Sequence, residues 1–153
     1  MRPTLKAKEV TFLLIVGVLF CGVARAQQCK HGSDETSDEK QWRVQAVNAV
    51  RIINTVEVNH KTLYGKFLPF SELPNSPVVE RMHLKDGPWG RIFKAMSFAP
   101  NTDVLPGFEL RFTLGEDGYS VAITDKTDPC RHSFFSDQLG IIYEGQPIGS
   151  PQP

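Results

Sequence analysis

The chain is poor in the features that announce a reaction. Its four histidines, His31, His60, His83 and His132, form no H-x-x-x-H or H-E-x-x-H arrangement, which excludes the helix-borne zinc site of that class of hydrolase. No serine stands in a G-x-S-x-G elbow; Ser133 and Ser136 lie in an alternating segment instead. Cysteine is scarce, with three residues and no C-x-x-C pair, so zinc-ribbon and thioredoxin-type chemistry find no support. Neither sign of charge is in excess, with 17 Lys and Arg against 17 Asp and Glu. A nucleic-acid partner needs a basic footprint that this balance does not supply. Beyond Ala24 no apolar run approaches the roughly 20 residues that span a bilayer. No internal repeat is present.

What is present begins with a targeting segment. Arg2, Lys6 and Lys8 give a basic start, Val10 to Ala24 is apolar almost throughout, and Ala24-Arg25-Ala26 places small residues where a signal peptidase reads them. This pattern predicts a secretory signal over 1–26, cleaved after Ala26, and hence a secreted or periplasmic protein. An uncleaved segment would be the only membrane attachment. Cys21 follows the bulky Phe20, which argues against lipoprotein processing. The mature chain would hold 127 residues with 13 basic and 16 acidic side chains, a formal charge of −3. That length suits one modest core.

Residues 27–37 are polar and aperiodic, and read as a linker. Ser37 is the expected helix cap, with Asp38 and Glu39 favourable at the positive helix end. No glycine-centred ligand loop follows, so these acids read as a solvated cap and not a calcium loop. Apolar residues then recur at helical spacing: Trp42, Ala46, Ala49, Val50, Ile53, Val56 or Glu57, His60, Leu63 and Tyr64. Gly65 is the expected left-handed stop. Four prolines between Lys66 and Phe93 predict an irregular middle with one short helical turn over 76–84. Residues 99–107 read as loop. Strict alternation in 108–114 and in 119–125, then apolar runs in 131–137 and 141–144, predict four antiparallel strands joined by tight turns. The Pro/Gly-rich 145–153 reads as a disordered tail. The expected fold is therefore α+β: one long N-terminal helix, over a domain of 38–144, whose apolar stripe packs on a C-terminal antiparallel meander of about four strands.

After cleavage two cysteines remain, Cys29 and Cys130. Export permits a disulfide between them, closing a loop of about 100 residues; two free thiols are the alternative. Asp125, Asp128 and Asp137 are the only acids placed to form a calcium site, which needs clustered oxygen ligands. The carboxylates Glu109, Glu116, Asp117, Asp125 and Asp128 gather near hairpin turns, where turn roles account for them without catalysis. His60 on the helix and His132 on a strand are the two histidines that could meet. Trp42, Trp89, Phe134, Phe135 and Tyr143 read as core and rim in preference to a sugar platform.

Two segments in order carry a resemblance. "AVNAVRIINTVEVNHKTLYGKF" presents Ala49, Arg51, Ile53, Asn54, Thr55, Val58 and Tyr64-Gly65 in a recurring pattern, and "GYSVAITD" with "RHSFFSDQLGII" close the chain. The chain resembles the exported heads of type IV pilins and type II secretion pseudopilins. The resemblance implies a helix lying on the sheet by one face, with Asn54 and Thr55 binding the backbone of a neighbouring loop and Tyr64-Gly65 ending the helix where that loop leaves. The structural motif is then Ile53, Asn54, Thr55, Tyr64 and Gly65. Such heads can hold calcium in loops near the sheet, for which Asp125, Asp128 and Asp137 are the candidates, but the expectation here is no cofactor and no catalytic or metal residues. Pilins are processed at a Gly before a Phe, with a Glu five residues on. No Gly precedes Thr11-Phe12 here, and no Glu lies in the apolar run. The expectation is an exported, non-enzymatic, pilin-like module binding a protein or cell-surface partner. A small secreted hydrolase or ligand-binding domain is the alternative.

Overall fold

A computed structural model of the protein describes residues 29–31 and 35–146. The expected signal segment 1–26, part of the expected linker and 147–153 of the expected tail lie outside these residues. In chain order come α1 (Ser37–Tyr64), a 3-10 turn (Phe70–Asn75), α2 (Pro77–Arg81), α3 (Gly90–Ala95) and five strands, β1 (Asp103–Leu105), β2 (Phe108–Leu114), β3 (Tyr119–Asp125), β4 (Ser133–Asp137) and β5 (Tyr143–Gly145). The strands form one antiparallel sheet in the order β1-β2-β3-β4-β5. The fold is α+β, with five strands in place of the expected four.

The cap of α1 is Thr36, one residue earlier than expected. Its hydroxyl accepts the Glu39 N–H at 3.3 Å, and Glu39 Oε2 accepts the Thr36 N–H at 2.7 Å. Ser37 has no side chain three residues ahead that could return such a bond, whereas Thr36 has Glu39, which makes the reciprocal capping box. Thr36→Ala should lower stability by about 1 kcal/mol, measured as a shift of the urea midpoint. An unchanged midpoint would mean the box adds nothing. At the other end Gly65 takes φ 76° and returns its N–H to Lys61 O at 2.8 Å, the left-handed termination read from the sequence.

Ala46, Ala49, Val50, Ile53, Val56, Glu57 and His60 are buried along α1, as the helical spacing implies. Ile52 and Asn54 are buried too. The helix is covered by β3 and β4 on one side and by α2, α3 and the 3-10 turn on another, so burial is wider than one stripe. Trp42, Leu63 and Tyr64, expected in the stripe, stand at the two ends of α1 and are exposed. Each fully buried aliphatic such as Ile53 contributes about 1.5–3 kcal/mol from burial.

The region 99–107 read as loop contains β1. It forms because Val104 and Leu105 drop into the core while Leu105 pairs with Phe108 across a reversal in which Gly107 takes φ 82°. β4 starts at Ser133 and not at Arg131, since Arg131 takes φ 51° in closing the preceding turn. The helix α3 was hidden by Pro88 and Gly90. A β-carbon at Gly90 would stand 2.3 Å from Lys85 O, so this close backbone crossing requires glycine. On the inner face of the sheet Tyr119, Val121, Ile123 and Phe134 meet α1 and the core. The outer face carries Glu109, Arg111, Ser120, Ala122, Thr124, Phe135 and Asp137.

Candidate functional site

Three places in this frame carry polar chemistry. The first is the junction between the segment before α1 and the β3–β4 turn. Cys29 and Cys130 form a disulfide, with Cα atoms 5.2 Å apart and a sequence separation of 101. Asp128 organises the backbone around it. Its Oδ1 accepts the N–H groups of Lys30 at 3.0 Å and Cys130 at 3.1 Å, and its Oδ2 accepts that of His132 at 3.1 Å. One residue on, His31 is buried between two carboxylates: Nδ1 lies 2.8 Å from Glu35 Oε1 and Nε2 lies 3.1 Å from Asp125 Oδ2. Asp125 Oδ1 holds the Thr127 N–H and hydroxyl, each at 2.7 Å. Arg43 reaches from α1 to Glu35 at 3.2 Å and to Glu144 on β5 at 3.6 Å.

The electrostatics follow from these partners. Burial pushes the Glu35 and Asp125 carboxyls up. For Glu35, hydrogen bonds from His31 and Arg43 with their charges outweigh burial and hold it below the usual range. Thr127 and His31 do the same for Asp125. Burial pushes the His132 ring down, and among the described residues neither ring nitrogen has a hydrogen-bond partner. It packs against His31 and Phe134, with ring centroids 5.1 Å away in each case. His60 and His132 do not meet. His60 lies on the Tyr64 ring and donates from Nδ1 to Lys66 O at 2.9 Å.

Asp125 and Asp128 share this turn, but their oxygens already accept protein donors. Asp137 pairs with Ser120 at the other end of β4 and takes the Leu139 N–H at 2.9 Å. The three acids named from sequence are therefore not brought together. Among the described residues, the ligand atoms of Cys29, Asp128 and Cys130 approach within 4.8 Å of one another, yet the two sulfurs are bonded to each other.

The second place is a polar seam inside the core. Tyr119 donates its hydroxyl to Asn54 Oδ1 at 2.8 Å; the Asn54 amide donates to Ser136 Oγ at 2.8 Å and to Gly140 O at 3.4 Å; Ser136 donates to Ile141 O at 2.8 Å. Asn54 thus ties α1 to the turn between β4 and β5. Thr55 does not share this role: its carbonyl takes the Asn59 amide at 2.8 Å, along its own helix. One turn on, Glu57 is wholly buried. Its Oε2 accepts the Leu68 N–H at 3.0 Å, and its Oε1 has no partner among the described residues. Burial raises its carboxyl to about 7, opposed only by that one N–H. Burial, then the nearby Glu57 and Asp137 charges, push the Tyr119 hydroxyl up as well.

The third place is the outer face of the sheet. Arg111, Ala122, Phe135 and Tyr143 fall in one cross-strand row. Phe135 and Tyr143 stack at 5.2 Å with an interplanar angle of 17°, and remain 44% and 47% exposed. The small Ala122 between Arg111 and Phe135 leaves a groove of about 420 Å³, flanked by Thr113, Ser120 and Asp137. A depression of about 390 Å³ lies where Phe70 and Phe98 roof Phe112. Its rings pack on one another at 5.2–5.7 Å and belong to the core's own margin.

No protein-family model, curated protein or solved structure matches the chain.

Proposed function

We propose that the protein is an exported, non-enzymatic module with a pilin-like head, which docks on a cell-surface partner through the outer face of its sheet. The observation that carries this reading is the Phe135–Tyr143 pair, two stacked rings left open beside a groove. Apolar aromatic surface exposed next to placed polar groups is what a docking site offers. The order of helix, irregular middle and antiparallel meander supports the pilin-like part. The basic start, apolar core and Ala24-Arg25-Ala26 support export, as does the disulfide. Among the described residues no helix is long and apolar enough to cross a membrane. The histidine and carboxylates of the disulfide junction are buried and hydrogen-bonded to one another, which supports a structural role for them over the hydrolase alternative.

The test uses labelled mature protein and envelopes of the producing cells. The wild-type chain should be retained saturably, and Phe135→Ser/Tyr143→Ser should bind about tenfold more weakly or worse, with an unchanged melting temperature. Equal retention of both would overturn the docking reading. N-terminal sequencing of the exported chain should begin at Gln27. A start at Phe12 would instead mean pilin-type processing, and a start at Cys21 a lipoprotein.

A further inference from the structure

We propose that the groove over Ala122 binds a neutral saccharide, one ring of which lies against the Phe135–Tyr143 pair. This rests on the outer face being the docking surface and names the chemistry that the face would recognise.

Three observations select that ligand. First, the floor belongs to β3, whose backbone is paired with β2 on one side and β4 on the other. Such a face offers no open N–H or C=O, so its ligand must be held by side chains alone. A peptide added as a strand needs a free edge, and both edges, β1 and β5, are only three residues long. Second, the charges of this face cancel. Glu109 is 3.7 Å from Arg111 and 2.8 Å from Arg131, and Asp137 stands at the far end of the groove. Two acids against two guanidinium groups favour a neutral ligand over a polyanion or a polycation. Third, the lining combines an aromatic wall with short polar groups. The hydroxyls of Thr113 and Ser120, the Arg111 fork and the Asp137 carboxylate supply both donors and acceptors around the rings. A sugar ring presents the complement: an apolar C–H face for the aromatic pair and a rim of hydroxyls. The volume of about 420 Å³ falls within the range of small-ligand sites.

Native affinity electrophoresis in gels containing soluble xylan, a linear β-1,4-glucan or dextran tests this. At least one of these should retard the mature wild-type protein. Tyr143→Ala should weaken that retardation about tenfold or more, and Tyr143→Phe should keep it, because the stack remains. Ala122→Gln fills the floor from an outward-facing position and should abolish retardation without lowering the melting temperature. This variant keeps the test open if Tyr143→Ala folds poorly. If no polysaccharide retards the wild type while Ala122→Gln still loses envelope binding, the saccharide proposal falls and the docking surface stands. If Ala122→Gln and Tyr143→Ala alter neither binding, both fall.

Discussion

A chain carrying Cys29→Ser and Cys130→Ser should unfold with about 4–5 kcal/mol less stability than the wild type at 25 °C. The sequence separation of 101 sets this figure, because the cross-link removes the closure entropy of a long loop from the unfolded ensemble. Against the roughly 5–15 kcal/mol that holds a domain of ordinary size, such a loss leaves a marginal fold. The effect is also local. With the bridge gone, the segment 29–31 is held to the β3–β4 turn by the Asp128 and Asp125 hydrogen bonds of Lys30 and His31. Urea denaturation should show a lower midpoint and a steeper slope, since the open unfolded chain exposes more surface. A loss below about 1 kcal/mol would contradict the loop-entropy account.

Glu57→Gln should make the domain more stable at pH 8 and leave it nearly unchanged at pH 4. The folded-state value of about 7 lies above the ordinary glutamate value of 4.5, which the unfolded chain keeps. Below 4.5 both folded and unfolded chains keep the proton, and Glu57 carries no ionisation penalty. As pH rises from 4.5 to about 7 the unfolded chain releases the proton and the folded chain does not, so stability falls. Above about 7 both are ionised and the penalty is constant, at about 3 kcal/mol for a shift of this size. Glutamine keeps an acceptor for the Leu68 N–H and never charges. The difference in melting temperature between variant and wild type should therefore grow through that window and then level off. Parallel curves for the two proteins would show that Glu57 does not titrate in the core. Glu35 and Asp125 act in the opposite sense. Their values are depressed, so what they contribute is present above the unfolded carboxylate value and lost as pH falls.

The elements with a strict period were legible in the sequence, and those set by remote contacts were not. Alternation located β2 and β3 to the residue because each strand has one covered face. β1 has three residues, too few for a period, and exists only because Phe108 and Glu109 are there to pair with it. The helix was evident from Ala46 to His60, where packing repeats each turn. Its cap was misplaced by one residue because Ser37 and Thr36 are both good caps, and only Glu39 decides between them. Among the site residues, the disulfide was within reach of cysteine counting in a chain whose first residues predict export. His31, Glu35 and Arg43 were not. They meet Asp125 and Glu144 across about a hundred residues, and the segment that carries His31 and Glu35 has no apolar pattern of its own. Phe135 and Tyr143 are recognisable as aromatics. Their openness depends on which face of β4 the helix covers, and that is settled by the register of Phe134 with Ile123.

The position of the disulfide also fixes how the domain would carry tension. A pull on the chain ahead of Cys29 passes through the sulfur bridge directly into Cys130, at the turn leading to β4. Residues 30–129, with α1 and the strands β1 to β3, lie inside the covalent loop and off the load path. Among the described residues, β4 and β5 are the elements that stand in line between that bridge and a grip beyond Gly145. Under force the oxidised domain should extend by unzipping those two short strands, while the helix bears no load until the bridge is reduced.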